Sequence, residues 1–139
     1  MKKTLLLALM LYGSYHMNAQ SFTVNNTSDC SVSFSVVASD PNTCNAAYTS
    51  QTVTLAAGAS VTYNGANDLS WTAPNTAPSN AHWSGIVILD DGQLKFAGED
   101  CAGFSSSINF TSGDGTAETA SYSVNEALDN IIIIWPNGG

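Results

Sequence analysis

Residues 83–98 read WSGIVILDDGQLKFAG, two apolar runs on either side of Asp91-Gly92. That dipeptide supplies the positive φ a tight primed turn requires, so the stretch predicts a β-hairpin. Ile86 to Leu89 is almost unbroken apolar sequence and marks a central strand.

Working outward from this hairpin, a period of two recurs on both sides. SFTVN (21–25), SVSFSVV (31–37), QTVTLA (51–56), SVTYN (60–64) and LSWTA (69–73) alternate apolar and polar residues as half-buried strands do. Asn25-Asn26, Asp40-Pro41-Asn42, Gly58, Asn64-Gly65 and the Pro74 to Pro78 stretch break the chain between them. Downstream, SSINFT (106–111) and TASYSV (119–124) flank SGDGTAE (112–118) and predict a second hairpin with an acidic tip. A helical period is sustained nowhere, and Asn125 to Asp129 is the one candidate for a single turn. The expected fold is all-β: a single-domain antiparallel β-sandwich of roughly 8–10 short strands over residues 21–139.

The chain ends DNIIIIWPNGG (129–139). The apolar run Ile131–Trp135 is far too short for a bilayer and is stopped by Pro136. β-Branched isoleucines suit a strand, and a strand apolar on both faces must be covered on both. The first reading is a terminal strand closing the core. The alternative makes Ile131, Ile132, Ile133, Ile134 and Trp135 the assembly surface of a homo-oligomer, the strand pairing with a neighbouring copy.

Lys2 and Lys3, the apolar run Leu5 to Leu11 and the exit Asn18-Ala19-Gln20 have the layout of a secretory signal peptide over residues 1–20, of bacterial style, cut near Ala19 or Gln20. The run falls short of the about 20 residues a membrane helix needs, so no stable membrane insertion is expected. The mature protein is expected outside the cell, secreted or on the cell surface. Removing 20 of 139 residues leaves 119 that hold all eleven acids, a single base, Lys95, and a formal charge of −10. Such a chain repels phosphate backbones, which excludes nucleic acid as a partner. Charged residues are 10% of the sequence, against about 25% in ordinary soluble domains, so hydroxyls and amides on the solvent face of the strands must keep it soluble.

Cys30, Cys44 and Cys101 all lie beyond the leader, where an oxidising compartment favours a disulfide. Cys30 and Cys44 bracket a strand and the loop ASDPNTCN (38–45), and the expected bridge is Cys30–Cys44, with a longer-range bridge to Cys101 as the alternative. The spare thiol reads as structural. With no CxxC and one histidine beyond the leader, His82, a metal site is not expected.

Enzymatic machinery is hard to assemble from what remains. Asp90 and Asp91 fall in a turn, and Glu99 and Asp100, adjacent on an extended chain, point to opposite faces, which argues against paired-carboxylate hydrolysis. His82 would be the only base for a nucleophile, and no GxSxG elbow accompanies the serines. The chain is therefore expected not to be an enzyme and to need no cofactor. Calcium is the one ion its composition invites, through the oxygen-rich loops DPNTCN (40–45), LDDGQ (89–93) and SGDGTAE (112–118), none with EF-hand spacing.

Aromatic rings are a better resource. Trp71, Trp83 and Trp135, with Tyr48, Tyr63 and Tyr122, are the rings from which a stacking platform for sugars would be built, flanked by amides and carboxylates. Trp71 and Trp135 read as core. Trp83 follows APNTAPSNAH (73–82), the longest irregular stretch, so Asn80, His82 and Trp83 are the expected ligand-binding residues. The order FTVNNTSDCSV (22–32), LAAGASVTY (55–63) and Trp71 resembles the opening third of thaumatin-like proteins; it spans less than half of the mature chain, without that family's many cysteines and basic residues, and implies no site. The functional expectation is a secreted binding module for a neutral carbohydrate or a protein surface. The alternative is a structural or adhesive subunit assembling through its C-terminal strand, and the third reading is a small secreted hydrolase.

Overall fold

The computed structural model describes residues 20–137; apart from Gln20, the expected leader lies outside the described residues. The strands are β1 (Phe22–Asn26), β2 (Val32–Ser39), β3 (Ala46–Thr49), β4 (Val53–Leu55), β5 (Ser60–Tyr63), β6 (His82–Asp90), β7 (Gln93–Gly98), β8 (Ser107–Thr111), β9 (Ala117–Val124) and β10 (Asn130–Pro136). Short 3-10 turns at Ala66–Asp68 and Asp100–Ala102 are the helical pieces among the described residues, and no helix there is long and apolar enough to cross a membrane. One sheet has the order β5-β1-β10-β9-β8 and the other β3-β2-β6-β7, with β4 pairing the remaining length of β2. The all-β sandwich expected from the alternation is the fold observed.

The Asp91-Gly92 turn takes the expected form, with φ of 47° and 76° at its two central residues, and Asp90 pairs with Gln93 across it. Two local expectations change. Residues 69–73 form no strand; they touch β3's end through a single Ser50–Trp71 bridge, because the chain must turn into Pro74. The short strand β3, in contrast, follows the Cys44 loop directly, and its four residues are too few to show a period.

Among the named strands the pairing is antiparallel except that β1 runs parallel to β10, from Phe22 opposite Asn130 to Asn26 opposite Ile134; an isolated bridge between Ala97 and Ser105 is also parallel. Parallel neighbours cannot be joined by a tight turn. Here the whole domain serves as the connection, so the first and last strands can lie side by side in the middle of one sheet.

Inward-facing residues of both sheets make one core. Phe22, Val24, Phe110, Ala120, Ile132 and Ile134 meet Val32, Phe34, Val36, Ile86, Ile88 and Ala97. Close approach within the second sheet needs Gly85 and Gly98, which face each other between β6 and β7. A Cβ on Gly98 would lie 2.0 Å from the Ser84 carbonyl oxygen, so no side chain fits. Buried Asn26 ties the layers together: its Nδ2 donates to the carbonyls of Cys30, Leu55 and Ala56 at 2.8, 3.1 and 3.1 Å, and its Oδ1 accepts from Ser28.

The isoleucine run departs from the expectation of two covered faces. Ile132 and Ile134 are fully buried, whereas Ile133 and Trp135 are each 37% exposed. The strand's inner face is core and its outer face meets solvent. Both edges of β10 are occupied, by β1 and by β9, so it has no free edge to offer a neighbouring copy. Self-assembly by strand pairing at Ile131–Trp135 is corrected on that ground.

The disulfide expectation is also corrected. Cys44 bonds Cys101 with 5.7 Å between their Cα atoms, and Cys30 is free and half-buried. Cys30 precedes β2 and Cys44 follows it. Eight residues of strand hold them about 26 Å apart, far beyond the about 7 Å a disulfide tolerates between Cα atoms. The Cys30 thiol instead donates to Glu118 Oε1 at 2.8 Å.

The one-sided burial of β10 makes a direct prediction. Ile134→Ala should destabilise the domain by about 3 kcal/mol and Ile133→Ala by under about 1 kcal/mol, measured as shifts in urea midpoint; equal losses would contradict the assignment of faces.

Candidate functional site

The expected site at the start of β6 is not assembled. Trp83 is 2% exposed; its ring packs against Phe22 and Tyr63, with centroids 5.5 and 6.5 Å away, and its Nε1–H donates to the Gln20 carbonyl at 2.8 Å. A ring held in this way cannot stack on a ligand. Asn80 is exposed, and His82 is half-buried with Nε2 2.7 Å from Glu99 Oε2. Trp71 is core as expected, its Nε1–H donating to the Ala66 carbonyl. Of the three tryptophans, Trp135 alone presents a substantial part of its ring to solvent.

Trp135 belongs to a continuous surface, the outer face of the first sheet. Strand pleating sends alternate residues to that face, and the register gives its rows. Thr62, Thr23, Ile131 and Ser123 form one row; Ser60, Asn25, Ile133, Ser121 and Ser107 form the next; Trp135, Thr119 and Asn109 form the third. Every one of these side chains is uncharged. Ile131, Ile133 and Trp135 make an apolar ridge about 13 Å long, with hydroxyls and amides on both flanks. Six of those polar side chains are paired across strands: Thr23 Oγ1 lies 2.9 Å from Thr62 Oγ1, Ser60 donates to Asn25 Oδ1, and Thr119 donates to Asn109 Oδ1 at 2.9 Å.

The acids are concentrated elsewhere. Two of the three oxygen-rich loops, the β6–β7 turn and the β8–β9 tip, converge with the β1–β2 connection on an open groove of about 1020 Å³ that Asp29, Asp90, Asp91 and Asp114 help to line. Lys95 Nζ reaches Asp90 Oδ2 at 2.6 Å and the Asn109 carbonyl at 2.7 Å. Together with the Thr111 amide, it holds the Asp90 carboxyl below its ordinary range. Asp114 accepts from the Ser112 hydroxyl and from the Thr116 amide at 3.0 Å, and these donors, the hydroxyl foremost, bring its pKa down to about 2. Both carboxylates are therefore already engaged as turn-forming acceptors. The third loop (40–45) is separate, with Asp40 accepting from the Tyr48 hydroxyl at 2.6 Å.

At the other end of β6, about 30 Å away by strand length, His82, Glu99 and Tyr122 gather beside the disulfide. The Tyr122 hydroxyl lies 3.5 Å from Glu99 Oε1 and donates to Asn130 Oδ1 at 2.6 Å. Burial, and then the charge of Glu99, push the Tyr122 hydroxyl well above its ordinary pKa. Glu99 and Asp100 do not act as a pair, since Glu99 faces His82 while Asp100 begins the 3-10 turn.

The protein-family models, the curated proteins and the solved structures compared with this chain give no match. Any functional reading therefore rests on its own residues.

Asp114 makes stability depend on pH. A carboxyl lowered from 3.8 to about 2 on folding stabilises the native state fully above pH about 3.8, and that contribution is lost as pH falls toward 2. Asp114→Asn should flatten the decline in stability across this interval in urea titrations at stepped pH; parallel curves for the two proteins would count against the role given to Asp114.

Proposed function

We propose that this is an exported, non-catalytic binding module that recognises a neutral, hydroxyl-rich polysaccharide surface through the outer face of its first sheet. The observation that carries this reading is a three-row face without a charged side chain, crossed by the ridge ending in Trp135, on a domain of formal charge −10. A neutral sugar suits such a surface: its apolar ring faces stack on an indole, and its hydroxyls meet ordered donors and acceptors. Cross-strand hydrogen bonds hold those groups before any ligand arrives, which reduces the entropy lost on binding. The acidic groove at the end of the sandwich keeps anionic surfaces away.

Export is part of the proposal. The Cys44–Cys101 bridge fits an oxidising compartment. Cleavage between Ala19 and Gln20 would preserve the Gln20 carbonyl that Trp83 needs, so intact-mass measurement of the secreted protein should find Gln20 as its first residue; a mature form beginning at Ser21 or later would contradict this.

Binding to a panel of neutral polysaccharides tests the main claim. The wild type should bind at least one, with little dependence on salt, and Trp135→Ala should weaken that binding about tenfold, a loss of about 1.4 kcal/mol, without lowering stability as a core substitution would. Equal binding by Trp135→Ala, or retention of no polysaccharide by the wild type, would remove the reading. A second reading is favoured by the exposure of Ile133 and Trp135: two copies meet ridge to ridge. A concentration-dependent dimer that Trp135→Ala dissolves would support that outcome instead.

A further inference from the structure

The Cys44–Cys101 bridge has unusual company. Cys44 Sγ, Cys101 Sγ and a Glu99 carboxylate oxygen all lie within 4.8 Å of one another, with Cys101 Sγ 3.5 Å from Glu99 Oε2. His82 Nε2 stands one hydrogen bond beyond, 2.7 Å from that same oxygen. Cys101 is exposed and Cys44 and Glu99 are half-buried, so an ion has a path in.

We propose that, when the disulfide is open, Cys44, Cys101, Glu99 and His82 bind one Zn²⁺. Two thiolates, an imidazole and a carboxylate are the donor types Zn²⁺ accepts, and they make up a full tetrahedral set. Donors at zinc-bond lengths on a tetrahedron stand about 3.3–3.8 Å apart. The carboxylate and the Cys101 sulfur already meet that spacing. Breaking the S–S bond frees the sulfurs to separate by side-chain rotation while their Cα atoms stay 5.7 Å apart. His82 completes the set by rotation of its imidazole, which carries Nε2 from Glu99 Oε2 toward the ion.

The surrounding backbone holds the donors in place. The Glu99 amide donates to the Ser84 carbonyl at 2.9 Å, and the amides of Ala102 and Gly103 close the 3-10 turn that carries Cys101. The Tyr122 hydroxyl, which donates to Asn130 Oδ1, lies 3.5 Å from the other oxygen of Glu99 and closes that side of the site.

A dithiol reductant breaks the S–S bond and leaves as its own disulfide, delivering two electrons and two protons to Cys44 and Cys101. Binding of Zn²⁺ then releases both thiol protons. A disulfide oxidant reverses the sequence and expels the ion. Metal and bridge are mutually exclusive, so the site would hold zinc only under reducing conditions.

Co²⁺ reports on such a site directly. The full chain, reduced with a phosphine and titrated anaerobically, should take up one equivalent with the visible absorption of tetrahedral Co²⁺ and thiolate-to-cobalt charge transfer, both abolished by Zn²⁺. The oxidised chain should show neither. Cys30→Ser should keep the signal, and the Cys44→Ser/Cys101→Ser double variant should lose the charge transfer. Glu99→Gln, which keeps the shape of the side chain and removes its charge, should weaken Co²⁺ binding by at least about tenfold, and His82→Ala should do the same while retaining charge transfer. A reduced wild type that binds no Co²⁺, a signal that survives in the double variant or disappears in Cys30→Ser, or Glu99→Gln binding as tightly as wild type, would overturn the proposal.

Discussion

The parallel pairing of β1 with β10 organises both faces of the first sheet. It joins residues more than a hundred positions apart, and it places the most apolar strand of the chain at the centre of a sheet. Ile132 and Ile134 are then fully enclosed. The same pairing sets Thr23 and Asn25 beside Ile131 and Ile133, which builds the outer face around a ridge. Core and candidate binding surface are two sides of one strand, and neither could form unless the ends of the domain meet.

That geometry also explains how charge is distributed. A chain with few ionisable groups must decide where to put them, and here Asp90, Asp91 and Asp114 stand in turns at one end. In these positions carboxylates accept from hydroxyls, amides and Lys95, which turns need and strand faces do not. The broad face is left to Ser, Thr and Asn, which pair across strands at no electrostatic cost.

Much of the fold was legible because alternation and turn chemistry are local. Val24, Val36 and Phe110 announce their burial by the residues beside them, and Asp91-Gly92 adopts the positive φ pair its identity suggests. What was not legible depends on distance through space. Cys44 finds Cys101 because β2 carries Cys30 to the other end of the sandwich. Trp83 and Trp135 exchanged their expected roles for a related reason: sequence context placed Trp83 in a loop and Trp135 in a core, whereas the pleat of β6 turns the first inward and that of β10 turns the second outward. An unbroken apolar run hides its own phase, so nothing in IIIIW says which residues face solvent. The charge-free face was visible only as an excess of hydroxyl residues until the register placed them in rows.

Inserting β10 between β1 and β9 also makes one short segment the keystone of folding. Without residues 130–136 the first sheet falls into two pairs, β5–β1 on one side and β9–β8 on the other, with a gap between them. The sandwich therefore closes in a single step when that segment docks, and cutting the chain just before residue 130 disconnects two half-sheets rather than trimming an edge.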